Sequence, residues 1–137
     1  MMRLVILLIA ILAGPTNAAA QSSADAEWPK RVIRFIVSAA PGSAGDTVCR
    51  IVAQKLGERL GQQLIIDNRA AAAGTIAAEG LARSAPDGYT IGMVTTSTHV
   101  IAAILNSKLT YDPIKDFAPV SMIGHSPYVL AIYPGLP

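Results

Sequence analysis

Three short segments concentrate the residues able to hold a small molecule: Pro41 to Asp46, Asn68 to Thr75, and Thr95 to His99. All are short of charge and rich in small or hydroxyl-bearing side chains. Glycine and alanine let a backbone approach a bound molecule, and Ser43, Thr75, Ser97 and Thr98 add hydroxyls. The first two segments run into expected helix N-termini, whose unpaired N–H groups and partial positive charge suit a carboxylate or phosphate. The candidate contacts are Gly42, Ser43, Ala44, Gly74, Thr75, Ser97, Thr98 and His99. The same residues also fit a plainer role. Small residues form tight turns after strands, and Ser43, Asp46 and Thr75 stand where helix caps belong.

Covalent and metal chemistry finds little support. Cys49 falls on an expected helix with Val52 and Leu56 at the third and seventh positions beyond it, which reads as a core cysteine. His99 and His125 each lack a second ligand at metal spacing, so no metal is expected. Gly42 to Thr47 lacks the lysine of a phosphate loop and does not match the dinucleotide fingerprint, so no cofactor is expected. Arg69 and Arg34 both read as surface or structural charges; of the two, Arg69 opens the second segment and is the better placed to attract an anion.

The elements that must position these segments alternate. Val32 to Val37 is β-branched and aromatic and reads as a strand. Val48, Ile51, Val52, Leu56 and Leu60 recur at helical spacing, with Gly61 as the C-cap. Leu64 to Ile66 is a second strand, Thr75 to Ser84 an alanine-rich helix with Thr75 as candidate N-cap, and Tyr89 to Val94 a third strand after the turn Pro86-Asp87-Gly88. This order predicts an α/β fold with a mostly parallel sheet flanked by helices. Beyond it a short helix is expected over Val100 to Asn106, and two further strands over Val120 to Ile123 and Tyr128 to Tyr133. In parallel sheets ligands sit beyond the carboxyl ends of the strands, where the three segments fall.

Residues 1–20 read as a secretory signal: Arg3, an apolar run from Leu4 to Ala13, a break at Gly14-Pro15 and small residues at Ala18 to Ala20, with cleavage before Gln21. The run is too short to cross a bilayer. Residues 21–31 are an expected flexible lead-in, with Trp28 as the first packed side chain, and residues 32–137 an α/β lobe. Without Arg3 the chain keeps ten basic and nine acidic residues, a balance that points away from nucleic acid. One cysteine excludes an internal disulfide.

Read in order, Trp28-Pro29, Ile33-Arg34, Pro41-Gly42-x-x-x-Asp46, Asn68-Arg69, Gly74-x-Ile76, Ala85-Pro86-Asp87-Gly88-Tyr89-Thr90, Thr98-His99 and Tyr111-Asp112-Pro113-x-x-Asp116-Phe117 closely resemble the substrate-binding proteins of tripartite tricarboxylate transporters, the Bug family. The resemblance implies a periplasmic-binding-protein-like lobe and capture of small organic carboxylates for a membrane permease, without catalysis. In that family the loops after the strands hold a ligand carboxylate, largely through backbone groups and water. By position those loops are Pro41 to Asp46, Ala70 to Thr75 and Thr95 to His99.

This chain departs from the family pattern at Ser43, where a glycine is usual, and at Ala70, Ala71 and Ala73, where a proline and two glycines are usual. Where such a glycine takes a positive φ, alanine is expected to cost stability and to narrow the ligand's approach. Family members also continue through a second lobe, so a C-terminally truncated form with the second lobe missing is expected. The competing readings are a fragment that binds nothing, and a small secreted enzyme using Cys49 or His99.

Overall fold

The computed structural model describes residues 28–127 and 129–135; the expected export signal lies outside them. Three strands, β1 (Ile33–Val37), β2 (Leu64–Asn68) and β3 (Thr90–Met93), form one parallel sheet in the order β2-β1-β3. They are joined by helices α1 (Ala44–Leu60) and α2 (Thr75–Ala82); a short α3 (Ala102–Leu105) follows β3. This is the α/β lobe with a parallel sheet that the alternation predicts.

The central strand explains the fold. Ile33, Phe35, Ile36 and Val37 are at most 2% exposed, as a strand covered on both faces requires. Its odd positions pack with Leu64, Cys49 and Ala53, each large apolar side chain contributing about 1.5–3 kcal/mol. On the other face Leu81 of α2 fills the space a side chain at Gly92 would take. There Arg34 and Arg69 both bind Asp67, the Arg34 Nε at 2.8 Å and the Arg69 Nε at 3.1 Å.

The buried face of α1 differs from the expected one. Val48 and Ile51 point outward, 43% and 58% exposed, and Cys49 and Ala53 meet the sheet with Val52, Leu56 and Leu60 around them. Small residues at this contact let the helix lie close to β1 and β2. Cys49 is fully buried, as expected, with its Sγ 3.3 Å from the Met93 sulfur. Burial and the Asp46 charge push its thiol pKa up, the opposite of a reactive cysteine.

Gly61 closes α1 with φ 65°, as its position predicts. Within the expected lead-in, Trp28 to Arg31 pack onto the turn before β3. The Lys30 N–H donates to the Tyr89 hydroxyl at 2.9 Å, and the Arg31 guanidinium lies 3.9 Å over the Tyr89 ring.

The strands expected over 120–123 and 128–133 do not form among the described residues, which are irregular there. Val120, Val129 and Leu130 are 84–93% exposed. A strand exists only where a neighbour completes its hydrogen bonds, and no strand of the described sheet pairs with this segment.

Candidate functional site at the carboxyl ends of the strands

The loops after β1, β2 and β3 meet. Gly74, with φ 87°, sits where they touch: a β-carbon there would stand 2.8 Å from the Ser38 Cβ and 3.0 Å from the Thr98 methyl. Ser38 belongs to the first loop and Thr98 to the third. The Ser38 hydroxyl also donates to the Met93 carbonyl at 3.3 Å. With β1 central, the path of the chain reverses across the β1 and β3 ends, the switch point where open parallel sheets receive ligands.

The first loop is built around Asp46, whose side chain is buried. One carboxylate oxygen accepts the Gly42 N–H at 2.8 Å and the Arg50 Nε–H at 2.9 Å. The other accepts the Asn68 amide at 2.8 Å. The same Asn68 amide nitrogen donates to the Ala39 carbonyl at 2.9 Å, tying the end of β2 to the first loop. Arg50, Gly42 and Asn68 together hold the carboxyl well below the usual carboxylate range, against the opposing effect of burial. Ser43 is the N-cap of α1: its hydroxyl accepts the Asp46 N–H at 3.3 Å and donates to the Ala40 carbonyl at 2.7 Å. Ser43 and Asp46 stand at capping-box spacing, with either able to serve as N-cap; in the fold Ser43 is the cap and the Asp46 carboxylate accepts the Gly42 N–H, not that of Ser43.

Ser43 and Asp46 therefore organise the loop, and the first N–H groups of α1, at Ala44 and Gly45, have no partner within the helix. Ala44 and Gly42 are exposed, but the Gly42 N–H is already held by Asp46.

The second loop enters α2 through left-handed backbone. Ala72, Ala73 and Gly74 have φ of 51°, 53° and 87°. Gly74, not Thr75, is the N-cap; Thr75 is the first helical residue and its hydroxyl donates to the Ala72 carbonyl at 2.9 Å. The expected cost of alanine for glycine falls on Ala73 and not on Ala71, whose φ is −65°. A left-handed L-residue costs about 1–2 kcal/mol, and glycine returns about 0.4–1 of that through the unfolded chain. Ala73→Gly should therefore stabilise the fold by about 0.5–1 kcal/mol, raising the thermal midpoint by a few degrees in a circular dichroism melt.

The third loop folds into a π-type turn, Ser97–Ile101, in which the Ala102 N–H donates to the Ser97 carbonyl five residues back. The helix expected from Val100 thus begins three residues earlier. Thr98 is fully buried and its hydroxyl faces inward, accepting the Thr95 N–H and donating to the Thr95 carbonyl, both at 3.0 Å. Ser97 stays half-buried at the rim. His99 lies against Tyr111 and Phe117, with its Nδ1 3.1 Å from the Thr98 hydroxyl and its Nε2 enclosed without a partner. Burial lowers its pKa, which favours the uncharged ring.

The structure thus brings the eight candidates to one edge and divides them. Gly42, Ala44 and Ser97 face outward or line the rim. Ser43, Thr75 and Thr98 spend their hydroxyls on the loops themselves, Gly74 is the packing point, and His99 is packed against Tyr111 and Phe117. Arg69, read as the better anion attractor, is paired with Asp67 and packed over Gly80. The roles of Asn68 and Tyr111 escape a local reading, although both stand in the ordered motifs quoted above. Among the described residues no group of three or more His, Cys, Asp and Glu side chains could hold a metal ion.

Residues 48–137 match the family model described as the tripartite tricarboxylate transporter family receptor, and the chain belongs to that family. It is 39% identical over 127 residues to a UPF0065 protein of Bordetella bronchiseptica, an alignment covering 93% of this chain and 37% of that protein. Among solved structures it is similar to the malate-bound MatC of Rhodopseudomonas palustris (TM-score 0.67, 40% identity, 70% of this chain and 33% of that one). It is also similar to the periplasmic binding protein BugD (TM-score 0.64, 32% identity, 67% and 30%). The chain spans little more than a third of the length of the curated relative it matches.

Proposed function

We propose that this lobe forms one wall of a periplasmic receptor for small organic carboxylates, exported by residues 1–20 and handing its ligand to a membrane permease of the tripartite tricarboxylate type. The observation that carries the reading is the convergence of three nearly uncharged loops at the switch point, around Gly74. The charged side chains beside them are spent: Arg50 on Asp46, and Arg69 on Asp67. A ligand carboxylate is then held by the N–H groups that open α1, by backbone of the second loop and by the Ser97 hydroxyl, not by an arginine fork. Oriented N–H groups at a helix start suit this charge. Malate bound to MatC supports a small dicarboxylate as the class.

Isothermal calorimetry of the purified chain against malate, with phosphate and a neutral sugar as comparators, tests the reading. Saturable heat with malate alone is expected. A sample that melts cooperatively but gives no saturable heat with malate contradicts it.

A further inference from the structure

Among the described residues beyond α3, Tyr111 alone is buried, at 6% exposed, whereas Ile114, Val120 and Met122 are 79–93% exposed. Its hydroxyl donates to the Thr98 carbonyl at 2.6 Å. Burial and the Glu79 charge push the hydroxyl pKa up, so it remains a donor. Phe117 stands edge-on to His99 at 4.4 Å between centroids and to Tyr111 at 5.7 Å, the edge-to-face arrangement that aromatic pairs favour.

The turn that carries these two rings is closed on itself. The Asp112 carboxylate accepts the Ile114 and Lys115 N–H groups at 2.9 and 3.1 Å, and the Asp116 carboxylate accepts the Asp112 N–H at 2.7 Å. A rigid turn thus presents a hydroxyl to one residue of the third loop and a ring to the next. Thr98 in turn limits how closely Gly74, and with it the second loop, can approach. The π-type turn holding Thr98 and His99 is a rare geometry that recurs at functional sites.

We infer that Tyr111 and Phe117 are positioning residues that set the third loop, and through Thr98 the spacing of all three loops, for carboxylate binding. The inference rests on the carboxylate-receptor reading and adds to it a determinant of affinity on a segment outside the three loops.

Tyr111→Phe and Phe117→Leu test it by two measurements, at a temperature where each variant is folded. The first is amide hydrogen exchange at Thr98 and His99, whose N–H groups both donate to the Thr95 carbonyl. The second is the malate Kd by calorimetry. In Tyr111→Phe, loss of one buried hydrogen bond should raise exchange at these two amides about tenfold, leave the β1 amides unchanged, and weaken malate binding about tenfold; Phe117→Leu, which removes the edge-on contacts, should shift both readouts in the same direction. Unchanged exchange at Thr98 and His99 overturns the inference. So does exchange that rises equally across β1 while the malate Kd stays the same, the signature of general destabilisation. If the unsubstituted chain gives no heat with malate, the carboxylate reading fails, and the exchange pattern still decides whether the turn sets the loop. Should Tyr111→Phe not fold, Phe117→Leu is judged by the same criteria.

Discussion

Gly74→Ala should lower the thermal midpoint by at least about 10 °C and abolish measurable malate binding. Two costs combine at this position. The backbone has φ 87°, which costs an L-residue about 1–2 kcal/mol. The new methyl would also meet the Ser38 Cβ at 2.8 Å, the Thr98 methyl at 3.0 Å and the Ser38 carbonyl at 3.2 Å. Overpacking of this kind costs about 1–3 kcal/mol. Domains of this size hold only about 5–15 kcal/mol, and each kcal/mol moves the midpoint about 4–8 °C. Gly42→Ala separates the two costs, because Gly42 has φ 79° with nothing within 4 Å of the added carbon. Thermal melts of both variants should show Gly74→Ala falling well below Gly42→Ala. Equal midpoints would mean that the loops do not converge at Gly74.

Asp46→Asn should weaken malate binding more than tenfold and flatten the acid side of the stability profile. The substitution preserves size and removes the capacity to accept on both oxygens. One oxygen of Asp46 serves the Gly42 N–H and the Arg50 guanidinium, and the other serves the Asn68 amide. An amide turned either way sets its NH2 against a donor, and the first loop loses its tie to either Gly42 or Asn68. The pH effect has a definite sign. The folded-state pKa lies below the ordinary 3.8, so the unfolded chain takes up the proton first as the solution is acidified. The stabilisation is complete above that ordinary value and is lost as pH falls toward the folded value. Melts of the two proteins should therefore differ most near neutral pH and converge in strong acid. Profiles that stay parallel down to strong acid would remove Asp46 from this role.

Much of this was legible because local chemistry and tertiary structure agree. The β-branched run of β1, the glycine closing α1 and the Pro-Asp-Gly turn before β3 each specify their own geometry. The buried face of α1 is not legible from hydrophobicity, which favours Val48 and Ile51, because close helix–sheet contact favours the small Cys49 and Ala53. Thr75 reads as a cap by residue type, but a left-handed entry through Gly74 displaces it by one position. The strands expected over 120–123 and 128–133 require partners that no local pattern supplies. At the site, the position of the loops follows from alternation and from the rule for parallel sheets. The division of labour within them does not. Thr98 and Ser97 are neighbours of one chemical type, and only the fold shows that one is fully buried with its hydroxyl held by Thr95 while the other stays at the rim. Asn68 ends a strand in sequence, and only the fold reveals that its amide ties two loops together.

The central claim, that the three loops form one carboxylate-binding edge, is tested most directly by titrating malate into nitrogen-15-labelled chain and mapping the amide shifts. The prediction is saturable shifts confined to residues 38–46, 70–75 and 95–99, led by the Ala44 and Gly45 amides. A folded sample with no saturable shifts, or with shifts gathered along the groove between α1 and β2 at Gln54, Gly57 and Gln62, would contradict it.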